Sequence, residues 1–395
     1  MKILHVIPSV ASVRGGPSQA VQEIVKELLT LDVDVEIVTT NDNGNNLLDV
    51  PLAQLIKYND VPVRFFNRFS PKVNAIREFA FSSQLTTWLW QNIDKYELLH
   101  VHAIFSYPST IAMAIARFKN VPYIVRPLGQ LCKWSLEQST RKKQVYLNLI
   151  ERSNLQYSQA VHFTSELEQQ EAERLNLGVS GFVLPHGLSI PPTISDARLR
   201  LRQHLNLPID QPIILFLSRL HPKKGLEYLI SALCKLQNYR FTLVIAGSGS
   251  PEYTEQLKSL VVSTGISDRT HFAGFIENET KDLYLQGADL FALTSHSENF
   301  GIAVLEALAA GVPVLITPCV ALASVVEKYQ LGYVLPQDIL KISDTIEKFL
   351  NHPQLSQEMG DRARQVVLDQ YTWKNIACQM VDIYTKIIKK AHFLD

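Results

Sequence analysis

Glu298 and Glu306 stand with seven residues between them in the stretch SENFGIAVLEALAAGVPVL, residues 297–315, and Gly301 lies inside that interval. A carboxylate pair can act as acid and base in a hydrolase, or as fixed acceptors for the hydroxyl groups of a bound ligand. Further up the chain, SRLHPKKG (218–225) adds two cations, Arg219 and Lys224. Two cations beside the free amides of a helix start are suited to holding a diphosphate. The competing reading is a solvated loop acid, a polar helix residue and ordinary surface charge.

These residues need particular elements to position them. LFALTS reads as a strand, HSENFG as a turn and IAVLEALAAG as a helix closed by Gly311 and Pro313. Glu298 then lies in the strand-to-helix loop and Glu306 within the helix. The free amides near Phe300, Gly301 and Ile302 form an anion-binding end, and Gly301 removes a side chain where a ligand would approach the backbone. Arg219 and Lys224 follow the strand PIILFLSRL, at the carboxyl edge where open α/β sheets bind ligands.

Short β-rich apolar runs alternate with helical patterns along the whole chain. KILHVI, VEIVTT, LLHVHA, PYIVRP, AVHFTS and GFVLPHG form a first series, and a second restarts near residue 212. That alternation predicts βαβ units with parallel sheets covered on both faces. A chain of 395 residues suits two domains. The expected division is residues 1–195, rejoined by a C-terminal helix at 374–395, and residues 196–373. Pro191, Pro192, Pro208 and Pro212 mark the linker, with a hinge near 190–210. The C-terminal pattern puts Ile376, Met380, Ile383, Ile387 and Ile388 on one apolar face, expected to pack across both domains.

Composition narrows the partners. Lys plus Arg and Asp plus Glu both total 38, so no global charge points to nucleic acid. The four cysteines, Cys132, Cys234, Cys319 and Cys378, are far apart, without metal or disulfide spacing. The start, MKILHVIPSV, reads as a first buried strand rather than a signal peptide, and no run is long enough to span a membrane. The expectation is a cytoplasmic protein, with at most peripheral contact at the inner face of the membrane.

The Glu298 and Glu306 pattern with F-G inside it, EALAAGVPV after it and SRLHPKKG before it resembles the retaining GT-B glycosyltransferases of family 4. The likeness covers nearly the whole chain. ILHVIPSVASVRGGPSQAV resembles that family's N-terminal glycine loop, with Gly15 and Gly16, and LLHVHAIFS resembles its strand with a cleft histidine, here His102. His100 shares that strand face by period two. The implied fold is α/β, two Rossmann-like doubly wound domains facing across a cleft.

The resemblance also implies roles. Glu306 would accept hydrogen bonds from the nucleotide ribose, and Glu298 from the donor sugar. Arg219 and Lys224 would neutralise the leaving diphosphate. Amides around Gly16 and Gly301 would assist, Gly274 and Phe275 would meet the base, and His102 would line the cleft near the sugar. The ordinary alternative for His102 is a histidine hydrogen-bonded at a strand end. Transfer to a saccharide or lipid-linked saccharide is implied, from a UDP- or GDP-sugar, with retention by front-side attack and with no metal or other cofactor. No D-x-D pair appears where a strand ends. Many family members carry a Gly-Gly-x-x-Glu segment after GVPV, whereas this chain has LITPCVALASVVEK, so no phosphate contact is carried over there.

RPLGQLCKWSLEQSTRKKQVYLNLIERS, residues 126–153, mixes Trp134, Leu136, Tyr146 and Leu149 with Lys133, Arg141, Lys142, Lys143 and Arg152. Such a segment can rest on anionic lipid, or be a packed helix with a solvated basic face. It is similar to segments of bacterial exopolysaccharide-type members, which points to cell-surface polysaccharide synthesis. Arg126 is an acceptor-side candidate, with a strand-end ion pair as its alternative. Two other readings stay open: a sugar-phosphate or sucrose-type synthase with a soluble acceptor, and a catalytically silent nucleotide-sugar binder. A nicotinamide dehydrogenase needs a G-x-G-x-x-G after the first strand, and SVRGGPSQA does not supply it.

Overall fold

The computed structural model describes residues 1–137 and 140–392, with the side chains at 75, 140–142 and 392 left out of the description. The chain divides into two units, 1–187 with 373–395, and 188–372. The break therefore lies earlier than the 195/196 boundary read from the proline-rich stretch. Backbone pairing explains why: the Leu188 N–H donates to Tyr371 O and Leu188 forms a bridge with Thr372, which ties the chain after Gly187 to the second unit.

The first unit is built on eight strands: β1 (Lys2–Val6), β2 (Asp34–Thr40), β3 (Leu55–Tyr58), β4 (Val61–Phe66), β5 (Leu98–His102), β6 (Tyr123–Arg126), β7 (Ala160–Phe163) and β8 (Gly181–Val183). Their order is β8-β7-β6-β5-β1-β2-β4-β3. The central strands are apolar runs buried on both faces, as a helix-covered parallel sheet requires. Every pairing is parallel except β3 with β4, so the expected parallel sheet has an antiparallel edge. The cause is local. Asn59 and Asp60 adopt φ of 48° and 67°, the two left-handed residues that a tight hairpin needs.

Helices cover both faces. One layer packs Val21, Ile24, Val25 and Leu28 of the helix Gly16–Thr30 with Ile376, Met380, Tyr384 and Ile388 of the C-terminal helix Trp373–His392. That helix belongs to the layer of the first unit, and positions 393–395 of the predicted helix lie outside the described residues. Burying aliphatic side chains there stabilises by about 1.5–3 kcal/mol each before entropy is subtracted.

The second unit carries β9 (Ile213–Leu217), β10 (Thr242–Ala246), β11 (Thr270–Gly274), β12 (Leu290–Leu293), β13 (Val314–Ile316) and β14 (Gly332–Val334), in the order β11-β10-β9-β12-β13-β14, all parallel. In each unit the order reverses beside the first strand, between β1 and β5 and between β9 and β12. Those two switch points open crevices at the carboxyl ends of the strands.

Candidate functional site

In the second unit the loops after β9 and β12 leave the sheet side by side. Thr294 Oγ1 donates to Gly225 O at 2.6 Å, and the His296 N–H donates to Lys223 O at 2.8 Å. The Glu298 N–H donates to Cys319 O at 2.9 Å, which pins the second loop to the one after β13. These bonds bring together charges that are far apart in sequence. Lys224 Nζ forms an ion pair with Glu298, both mostly buried, and Ser295 Oγ donates to the same carboxylate oxygen at 3.3 Å.

Gly301 starts the helix Ile302–Ala309 at φ 88°, a conformation that L side chains rarely adopt, and a Cβ there would lie 3.1 Å from Val320. Phe300 has its ring buried, so it offers a ligand its backbone rather than its side chain. Glu306 is inside the helix as expected, and Lys281 Nζ bonds its Oε1 at 2.7 Å. Lys281 was not legible as a site residue: it lies on the separate helix Asn278–Gly287, with no local pattern to mark it. Arg219 is exposed and makes no hydrogen bond or ion pair among the described residues. It is free to meet a ligand, whereas Lys224 is already held.

The neighbouring loop after β10 is packed on its backbone. Gly247 has φ 139°, and a Cβ there would fall 1.8 Å from Ser218 O. Only glycine lets the two loops approach this closely. Gly247 N–H donates to Gly274 O at 2.6 Å, so Gly274, at the end of β11, shares this edge, and Phe275 beside it is exposed. The switch point of the second unit thus gathers Arg219, Lys224, Glu298, Gly301 and the paired Glu306, with Gly274 and Phe275 on the flanking strand.

The first unit builds its crevice differently. Gly15, at φ 73°, caps the helix that begins at Gly16 and Pro17. Ser18 Oγ donates to Ser9 O at 2.8 Å, and Ser9 Oγ donates to Asp42 O at 2.9 Å. Arg14 binds both oxygens of Asp42, at 2.7 and 2.8 Å, and reaches Glu78 at 2.6 Å. The buried Arg68 pairs with Asp42 as well. Burial pushes the Asp42 carboxyl up, but Arg14 and Arg68 outweigh it and hold it below the ordinary value. A cavity of about 270 Å³ opens here, walled by Ser9, Arg14, Asp42, Glu78, Phe105 and Gln130. Its floor is strained: Ala103 and Phe105 have φ of 67° and 59°.

His102 ends β5 directly before that floor. It is 1% exposed, and its Nε2 lies 3.0 Å from His5 Nδ1. His100 is on the same face, its ring stacked on His102 with centroids 4.3 Å apart. His162 and Tyr384 join this cluster, and none of His5, His162 and Tyr384 was singled out in the sequence. Burial, with Arg126 adding to it, holds the His5 imidazole down at about 3. Burial likewise keeps His100, His102, His162 and His186 well below the usual histidine range. Ring nitrogens of His5, His100 and His102 lie within 4.8 Å of one another, a spacing a metal ion could use. Those rings are instead hydrogen-bonded to one another and to Tyr384, beside the positive charge of Arg126.

Arg126 sits across from His102 on β6 and is buried. Its Nη2 lies 3.2 and 3.3 Å from the two ring nitrogens of His186. Its Nε has no partner and it forms no ion pair among the described residues, and burial lowers its pKa to about 10. The basic–aromatic segment is only partly a surface. Tyr146 OH is bonded to Thr110 at 2.9 Å and Leu136 packs on the core, which leaves Trp134 and Leu149 exposed, with Val145 added. Arg141 and Lys142 lie outside the described side chains.

Comparison with known proteins gives two family matches. The model described as "Glycosyl transferases group 1" matches residues 197–366, and that described as "Glycosyl transferase 4-like domain" matches residues 15–185. The D-inositol 3-phosphate glycosyltransferase of Xylanimonas cellulosilytica is 31% identical over 216 residues, 53% of this chain and 52% of that protein. The match spans about half the length of that relative. Among solved structures, the sucrose-phosphate synthase of Thermosynechococcus elongatus aligns with a TM-score of 0.76 and 21% identity, over 99% of this chain and 100% of the other. Anabaena HepE in complex with UDP and glucose aligns with a TM-score of 0.73 and 20% identity, over 98% and 100%. At these identities the structures share the fold.

Proposed function

The chain belongs to the group 1 glycosyltransferases of family 4, with the GT-B fold, and from that premise we propose that it transfers a sugar from a nucleotide-sugar donor to a saccharide or lipid-linked saccharide acceptor. One observation carries the reading. At the switch point of the second unit, the free cation Arg219, the Lys224–Glu298 pair, the helix start at Gly301 and Glu306 converge on one carboxyl edge. The nucleotide is UDP or GDP; the UDP complex of the structurally similar HepE is compatible with this.

The proposed division of labour follows from charge. Glu306, held by Lys281, accepts hydrogen bonds from the ribose, with Phe275 and Gly274 toward the base. Glu298 accepts from a hydroxyl of the donor sugar. Lys224, shared between Glu298 and the diphosphate, acts with Arg219 and the amides near Gly301 to balance the charge that grows as the bond from anomeric carbon to phosphate oxygen breaks. The acceptor oxygen bonds to that carbon on the same face, and its proton passes to the departing phosphate oxygen, so configuration is retained. LLHVHAIFS adds no second acid beside Glu298, which favours transfer over hydrolysis. Cations and backbone dipoles take the part a divalent ion plays elsewhere, so no metal or other cofactor enters the reading.

Arg14, Asp42, Glu78 and Gln130 around the cavity of the first unit suit the hydroxyls of an acceptor, the side on which Arg126 also acts in this reading, while the amides around Gly15 and Gly16 serve the donor. Exposed Trp134, Val145 and Leu149 beside Lys133 and Arg152 support contact with a lipid surface on the cytoplasmic side, in bacterial cell-surface polysaccharide synthesis. No described helix is long and apolar enough to cross a membrane.

The test is a turnover screen against UDP-, GDP- and ADP-sugars with free and lipid-linked acceptors, run alongside Arg219→Ala. Because Arg219 is exposed and unpaired, the variant should keep its stability within about 0.5 kcal/mol yet lose roughly a hundredfold in kcat/KM. Binding of a donor without transfer to any acceptor, including a crude lipid extract, would make the protein a silent binder. Failure of every nucleotide sugar to bind would remove the donor assignment.

A further inference from the structure

The buried histidines of the first unit form one directed chain of hydrogen bonds, and its direction follows from its last acceptor. His162 Nε2 lies 2.8 Å from Leu184 O, just past β8. A carbonyl oxygen only accepts, so His162 carries its proton on Nε2, and Nδ1 of the neutral ring keeps a lone pair. That lone pair meets His100 Nε2 at 3.2 Å, so His100 donates and its own Nδ1 is bare. Tyr384 OH lies 2.7 Å from His100 Nδ1 and 3.1 Å from His5 Nε2. Its one proton goes to His100, and its oxygen accepts from His5. His5 Nδ1 is therefore bare, and accepts from His102 Nε2 at 3.0 Å.

Neutrality is the condition for this deduction, and burial supplies it: all four rings are at most 1% exposed, with the Arg126 charge nearby. At the far end, His102 is left with its proton on Nε2. Its Nδ1 is the one ring nitrogen among the four histidines with no partner among the described residues.

We propose that His162, His100, Tyr384 and His5 are positioning residues that lock His102 as the Nε2–H tautomer and hold its Nδ1 as a hydrogen-bond acceptor for a hydroxyl of the sugar substrate. The substrate half of this rests on the glycosyltransferase reading; the tautomer half does not. The chemistry is selective. A bare Nδ1 in a site that disfavours imidazolium accepts from a neutral hydroxyl and repels a carboxylate or phosphate oxygen, so the group it meets is uncharged. A metal ion on His5, His100 and His102 would need nitrogens of His5 and His100 that this chain keeps protonated or occupied.

Nitrogen NMR of the full-length protein, labelled at histidine and kept at neutral pH, tests it without any substrate. Single-histidine variants assign the resonances. His102 should read as pyridine-type at Nδ1 and pyrrole-type at Nε2, and Tyr384→Phe should convert it to a mixture of the two tautomers. With the donor found in the screen, Tyr384→Phe should lower kcat about tenfold with little change in donor KM. A pyrrole-type Nδ1 on His102, an imidazolium, an unchanged single tautomer in Tyr384→Phe, or stoichiometric metal by elemental analysis would overturn the proposal. If Tyr384→Phe does not fold, the wild-type spectrum alone decides. If the tautomer is as stated but no sugar is transferred, the glycosyltransferase reading fails and the relay stands.

Discussion

Acid should unfold the first unit well above the pH at which carboxylates titrate. Burial, helped by Arg126, holds His5 at about 3 and keeps His100, His102, His162 and His186 well below the usual range. In the unfolded chain each returns to about 6.5. Below that pH the unfolded chain takes up protons that the folded chain refuses, so stability is complete above about 6.5 and falls as pH drops toward the folded values. At pH 5 His5, held at about 3, alone costs about 2 kcal/mol, and His100, His102, His162 and His186 add to the loss in the same direction. Such a loss is a large part of the whole stability of an ordinary domain, about 5–15 kcal/mol. The four tryptophans, Trp88, Trp90, Trp134 and Trp373, all lie in the first unit, so their emission isolates its unfolding. Urea midpoints followed by tryptophan emission should hold between pH 8 and 7 and collapse between 6.5 and 5. A loss of less than about 1 kcal/mol over that interval would show that these imidazoles are not buried neutral, and would refute the reasoning.

Three further outcomes follow from the packing. Lys224 and Glu298 should couple: Lys224→Met and Glu298→Gln each cost about 1–3 kcal/mol, and the double variant should be less destabilised than their sum by about 1–2 kcal/mol, read by calorimetry because the second unit holds no tryptophan. Additive losses would mean the pair is not formed in solution. Asp42→Asn leaves the buried Arg68 without a counter-charge and should cost about 3–5 kcal/mol in urea unfolding; a near-neutral result would mean that the Arg14 and Arg68 contacts are not made. Gly247→Ala forces a Cβ onto Ser218 O at a φ of 139° and should cost roughly 2–4 kcal/mol, whereas an unchanged melting temperature would show that the two loops are not packed together.

What was legible in the sequence depended on whether the signal was local. The strand–loop–helix containing Glu298, Gly301 and Glu306 could be read because strand, turn residues and helix formers follow one another, and the element bounds fall where the pattern ends. The hairpin of β3 and β4 has an equally local signal in Asn59-Asp60, which the alternation of strand and helix around it masks. Lys281 was invisible for a different reason: its partner Glu306 is set by tertiary packing of two helices, and nothing in ENETKDLY announces a carboxylate 25 positions away. The histidine cluster is the extreme case. His5 and His102 are 97 positions apart, and His5 and Tyr384 are 379 apart. Only strand order and the return of the C-terminal helix bring them together.

The two switch points answer the same topological opportunity with different polar groups, loop cations in the second unit and a buried chain of neutral histidines in the first, and this explains which groups a sequence can reveal. A site for a charged ligand has to keep ions near solvent, because an ion buried without a partner costs several kcal/mol. Such ions stand in loops, as the exposed Arg219 does, where charge interrupts an apolar pattern and can be seen. A site that orients a neutral group can place its polar atoms inside the sheet, provided every proton has an acceptor. His5, His100 and His162 then occupy strand positions that look like any other buried residue in an apolar run. Their polarity is hidden by the satisfaction of their hydrogen bonds. The requirement that each ring pass its proton toward Leu184 O makes the cluster intolerant of losing a single member, a constraint that spacing along the chain cannot express.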